Sequence, residues 1–175
     1  MFNAYDRITS HLDCDASIAL PTLARLAFAG VLLLYYWASG MTKLGDGFFG
    51  FLSPSIGAYA QIFPKQFEAV GYDASAMGWH HWAVVIAGTW AEFILPALIV
   101  IGLLTRLAAL GMIGFVVVQS LTDIYGHGAE FGAYFNRASG ELIADQRAFW
   151  VLALLILVFK GAGPLSLDRL FRSAP

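Results

Sequence analysis

Glu92 is the single charge in the apolar run from Trp82 to Leu104. An ionisable group at mid-membrane depth costs several kcal/mol unless a partner neutralises it, so its presence demands a base or a function. Counted from Trp82, Glu92 lies about 15 Å along a helix with a rise of 1.5 Å per residue. Arg25 and Lys43, near opposite ends of the first apolar run, could each supply the base. Two readings stay open. One is an ion pair that fixes helix register. The other is a catalytic carboxylate that handles a proton or hydrogen-bonds a quinone-like headgroup, held ionised by Arg25 or Lys43.

A second group could gather at one end of the spans. His80 and His81 sit between Trp79 and Trp82, while Gln119, Asp123 and His127 recur every fourth residue. If the helix carrying them persists, His81, Asp123, His127 and Glu130 could converge on one cofactor-binding site. Imidazole and carboxylate would suit a divalent metal or a polar headgroup. No HxxxH or HExxH pair lies on one helix, so the pattern reads as no metal site but as interfacial histidines bonded to loops or water, or as a site for a quinone headgroup or small anion. Haem is disfavoured because His81 and His127, its only candidate ligands on one side, fall too near the surface. His11 belongs to the other side.

The elements that must position these residues are membrane helices. The chain has 175 residues, 59% hydrophobic and 13% charged, against roughly 45–50% and about 25% in soluble domains. Fourteen Phe suit a lipid-facing surface, and a net charge of −2 with scattered acids and bases leaves no basic footprint for nucleic acid. One cysteine, Cys14, excludes an internal disulfide or a CxxC dithiol. Asp6, Asp13 and Asp15 against Arg7 leave residues 1–19 without a basic leader region, so the first apolar run reads as a retained helix.

Four spans are predicted: Pro21 to Met41, with Pro21 in the first turn; Trp82 to Leu104; Leu107 to Leu121; and Ala148 to about Ala162. About 20 residues cross a bilayer core, so the last is short and needs tilt or snorkelling by Arg147 and Lys160. Thr105-Arg106 is a tight corner that makes the second and third spans antiparallel neighbours. Between Lys43 and His81, the pieces Pro54–Ile62 and Pro64–Val70 read as short interfacial helices in the first outer loop. Small residues such as Gly30, Gly88, Ala91, Gly111 and Gly114 would let helices approach closely. Asp145 can cap the last span, and Arg147 can meet Asp123 or a lipid phosphate. Lys160 and Asp168, flanking Gly161-Ala162-Gly163-Pro164, would end that span and anchor the tail.

The expected fold is therefore an all-α integral membrane four-helix bundle. Residues 1–20 form an N-terminal segment, 21–162 the transmembrane domain and 163–175 a tail. Six basic residues (Arg7, Arg25, Arg106, Lys160, Arg169, Arg172) face four (Lys43, Lys65, Arg137, Arg147), which places both termini in the cytoplasm.

Several motifs carry a family resemblance. Arg25-Leu26 opens the first span and Gly40-Met41-Thr42-Lys43-Leu44 closes it. Glu92 follows, then the corner Gly102-Leu103-Leu104-Thr105-Arg106-Leu107-Ala108-Ala109, then Lys160-Gly161-Ala162-Gly163-Pro164-Leu165-Ser166-Leu167-Asp168. In this order, from about Leu23 to Leu170, the chain resembles the DoxX/DoxD-like family of small four-helix membrane proteins. Its first outer segment is longer than the minimal pattern. The resemblance implies a bundle in the inner membrane, a buried charge cluster around Glu92 and an association with redox metabolism. One branch is similar to the small subunit of thiosulfate:quinone oxidoreductase. The implied function is a membrane subunit of a redox system, a quinone-linked oxidoreductase component with quinone as cofactor. The alternative is a non-catalytic accessory subunit stabilising a larger respiratory or photosynthetic complex. In either case its partners are the lipid bilayer and other membrane subunits.

Overall fold

The computed structural model describes residues 2–137 and 139–172, with side chains described for residues 9, 16–137 and 139–171. Cys14 and His11 lie outside the described side chains. Among the described residues, four helical segments are long and apolar enough to cross a membrane: Ala16–Lys43, Trp79–Ile101, Thr105–Gly126 and Leu142–Lys160.

The first crossing is built from α1 (Phe2–Phe28), a π-helical turn Ala29–Leu33 and α2 (Leu34–Lys43). Pro21 lies inside α1 rather than at its start. The inward residues are Ala24, Phe28, Leu32, Tyr36 and Gly40, each four apart. Steps of four overshoot a 3.6-residue turn by about 40° each, and the wider π turn absorbs part of that drift, keeping the stripe on one side.

The loop after α2 returns to α3 (Ile56–Ile62) and α4 (Pro64–Ala69). Both expected interfacial helices therefore form, the first starting two residues later than Pro54. Ser55 sets that start by accepting from the Ala58 N–H at 3.2 Å. Pro64 opens α4, where a missing N–H costs nothing. Ala58, Tyr59 and Phe67 from this layer pack with Val85 of α5 (Trp79–Ile101) in a small core of their own.

The corner after α5 is Gly102–Leu104 rather than Thr105-Arg106, since Thr105 already begins α6 (Thr105–Leu121). Gly102 has φ +72°, and a Cβ there would lie 2.5 Å from Ser166 Cβ, so both backbone angle and space require glycine. Asp168, near the start of α8 (Leu167–Arg172), accepts from the Leu104 N–H at 2.7 Å and the Thr105 N–H at 3.0 Å, capping α6. The tail is thereby tied to the corner.

A π turn Thr122–Gly126 prolongs α6, and a second one, Leu142–Arg147, leads into α7 (Ala148–Lys160). The fourth crossing thus has 19 residues and needs no special tilt. Asp145 caps its start by accepting from the Glu141 N–H at 3.0 Å. The helices close a ring in which α5 packs on α2 and α6, and α7 on α6 and α1. Phe28, Tyr36, Ile99, Met112, Leu154 and Leu157 fill its centre. Leu26, Leu34, Leu107, Val118, Phe149 and Phe159 face outwards, the surface expected against lipid.

Candidate functional site

The site begins where α2 crosses α5. A Cβ on Gly40 would lie 2.7 Å from the Phe93 ring, so glycine is what admits that ring against α2. One turn later, Lys43 ends α2, where a cation also complements the helix dipole. Its Nζ donates to Glu92 Oε1 and Oε2, each at 3.0 Å, and to Ser39 Oγ at 2.7 Å. Ser39 Oγ in turn donates to Glu92 Oε1 at 3.1 Å. Lys43 and Glu92 are 5% and 4% exposed, so the pair is screened little by water. The following loop fixes the end of α2: the Ser55 N–H donates to Lys43 O at 3.0 Å and Ser55 Oγ to Thr42 O at 2.9 Å.

This pair borders a cavity of about 450 Å³ between α2, α3, α5 and α6. Its walls include Ala87, Gly88, Ala91, Gly111 and Gly114. A Cβ on Gly114 would meet nothing within 4 Å. Gly114 therefore leaves room for the cavity rather than serving close helix contact.

The second expected group lines the same cavity through Gln119, Asp123 and His127. The π turn keeps these three on one wall, because its wider turn suits a step of four. Gln119 is oriented by two phenols: its Nε2 donates to Tyr35 Oη at 3.1 Å, and Tyr36 Oη donates to its Oε1 at 3.3 Å. Asp123 Oδ2 accepts from Arg147 Nη2, and Arg147 Nη1 donates to Ser120 Oγ at 2.9 Å. Arg147 meets Asp123, the first of its two expected partners. His127 Nε2 lies 2.9 Å from Gln61 O. Gln61 and His127 are exposed while Lys43 and Glu92 are buried, so the cavity leads from the surface to the ion pair.

Two candidates lie elsewhere. Arg25, the other possible base for Glu92, donates to Ile99 O at 2.9 Å and Ala162 O at 3.0 Å, and also to Val100 O and Leu165 O. It ties two carbonyls at the C-terminal end of α5 to two in the turn between α7 and α8, at the opposite end of the bundle from Lys43. His81 packs edge-on against Phe63, centroids 4.8 Å apart, and 3.9 Å from the His80 ring, in the interfacial layer. It does not line the cavity with Asp123 and His127, and Glu130 is exposed and outside that lining. Among the described residues no three His, Cys, Asp or Glu side chains are grouped to hold a metal.

Ser39, Gln61 and Tyr36 were not among the sequence candidates. Ser39 stands one turn before Lys43, a spacing that brings side chains together on a helix and was a usable signal. Gln61 offers its backbone carbonyl, which no sequence pattern marks.

A family model described as DoxX matches residues 20–122, more than half of the chain and including Lys43 and Glu92. No curated protein and no solved structure matches the chain.

Proposed function

This chain belongs to the DoxX family, and from that premise we propose that it is the membrane component of a quinone-linked redox system, with its ligand site in the cavity between Lys43–Glu92 and Gln119–Asp123–His127. One observation carries the reading: a cavity of about 450 Å³ leads from the surface to a buried carboxylate–ammonium pair. That volume falls in the usual range for small-molecule sites, and largely apolar walls with a few convergent polar groups are what an aromatic headgroup requires. A bound quinone would supply two-electron, two-proton carrier chemistry. Gln119 Nε2, which has a second N–H beyond the one given to Tyr35, is the donor for a ligand carbonyl, and His127 at the mouth and Glu92 at the floor are the groups able to hold a proton. Lys43 keeps the Glu92 carboxylate in place, and Ser39 and the Ser55 contacts keep Lys43 there.

The reading puts the protein in the inner membrane with both termini in the cytoplasm, supported by the excess of basic residues at that end. The test is to purify the protein in mild detergent and measure bound quinone after solvent extraction. Glu92→Gln should lose most of it, and Glu92→Asp less. Equal occupancy in the parent and both variants would refute the proposal.

A second reading, an accessory subunit without chemistry, is favoured by the closure of the Lys43–Ser39–Glu92 triad on itself. Stoichiometric recovery of respiratory or photosynthetic subunits in a native pull-down, with quinone absent, would support it.

A further inference from the structure

A second cavity, of about 400 Å³, lies at the opposite end of the bundle, where α6 starts and α7 ends. Three bases from three different elements line it: Arg106 of α6, Lys160 of α7 and Arg169 of α8. A Cβ on Gly161 would stand 3.4 Å from Arg106 Nε, so the guanidinium lies over a glycine that leaves it room. Gly161 has φ +82° and Gly163 φ +76°, which turn the chain sharply around the cavity floor. Asp168, the acidic lining residue, has its carboxylate on the Leu104 and Thr105 N–H groups. Neither Arg106 nor Lys160 has an ion-pair partner among the described residues.

We propose that Arg106 and Lys160, in the cavity that Arg169 also lines, hold the phosphate of an anionic phospholipid at this end of the bundle. Convergent cations recognise phosphate oxygens through charge-assisted hydrogen bonds, Arg by its planar fork and Lys as a point charge. A lipid is the source because the surroundings are apolar and outward-facing. Leu165, Leu170 and Phe171 are 75%, 66% and 69% exposed on either side of Arg169. Leu104 and Leu107, flanking Arg106, are exposed as well. Basic side chains set among exposed leucines and phenylalanine mark a segment lying in the headgroup layer, with acyl chains beside α6. This site is separate from the cavity at Glu92 and stands whatever that cavity binds.

The test uses the full chain, delipidated in detergent, with native mass spectrometry and thermal melts. The probes are phosphatidylglycerol, phosphatidylcholine of the same acyl chains, and inorganic phosphate. Phosphatidylglycerol should bind and raise Tm, and phosphatidylcholine should bind at least tenfold more weakly. Arg106→Gln combined with Lys160→Gln should cut phosphatidylglycerol affinity by roughly tenfold or more. Lys65→Gln, on α4 at the far end, should leave it unchanged. If the double variant does not fold, Lys160→Gln alone at an exposed position should still weaken binding several-fold. Equal affinity for the two lipids, or unchanged binding by a folded variant, would overturn the proposal. Displacement of phosphatidylglycerol by inorganic phosphate at equal concentration would overturn the lipid assignment.

Discussion

Lys43 Nζ lies 3.0 Å from both carboxylate oxygens of Glu92, which brings the end of α2 and the middle of α5 together through one bidentate ion pair. Ser39 closes the arrangement by accepting from the lysine and donating to the carboxylate. An apolar setting makes this contact valuable only while both partners are present.

The first prediction follows from that asymmetry. Lys43→Met or Glu92→Leu alone leaves one buried charge unmatched and should destabilise the protein by about 3–5 kcal/mol. The double variant should recover much of the loss, because an apolar pair of similar volume carries no desolvation penalty. Thermal or denaturant unfolding of all four proteins in one detergent gives the coupling energy. Additive losses would show that the two side chains act independently.

Arg25 leads to a different outcome. Its guanidinium serves carbonyls of Ile99 and Val100 at the end of α5 and of Ala162 and Leu165 in the turn between α7 and α8. Arg25→Lys keeps the charge but not the planar fork, so some of those oxygens lose their donor. Each buried acceptor left unpaired costs about 1–3 kcal/mol. Tm should fall clearly, while quinone occupancy at temperatures where the variant is folded should stay at the parent level. Loss of quinone with Tm intact would put Arg25 in the ligand site.

Gly102→Ala should also destabilise, through two effects at once. Its φ of +72° disfavours any Cβ, and the added atom would stand 2.5 Å from Ser166 Cβ and 2.9 Å from Arg25 Cζ. Strain of this kind costs about 1–3 kcal/mol. Limited proteolysis should show the tail after Gly163 released first, because Asp168 is docked on this corner. Resistance equal to the parent would show that the corner tolerates a side chain.

Much of this was legible in the amino-acid order, for reasons that differ by residue. Glu92 announced itself because a lone carboxylate in an apolar run must find a base, and the base is Lys43. The spans were legible from their length, and α4 from its opening proline. Arg25 was ambiguous, because a buried arginine can neutralise a carboxylate or cap carbonyls, and sequence spacing does not distinguish the two. His81 stands apart from Asp123 and His127 because adjacency of two helix ends does not say which way a ring turns, and Phe63 captures it. The three π turns left no periodic signal short enough to read. One of them extends the last crossing, and another keeps Asp123 and His127 on the wall with Gln119. In sequence Gly111 and Gly114 look alike as packing residues, yet Gly114 borders open space, a distinction that only the surrounding helices make.

That open space gives the most direct test of the ligand site. Gly114→Leu places a side chain in the cavity, where an added Cβ meets nothing within 4 Å, and leucine is a good helix former. Quinone extracted from purified Gly114→Leu should fall at least tenfold below the parent, with Tm unchanged or raised. Parent-level quinone in a variant that is folded and has its cavity filled would contradict the account.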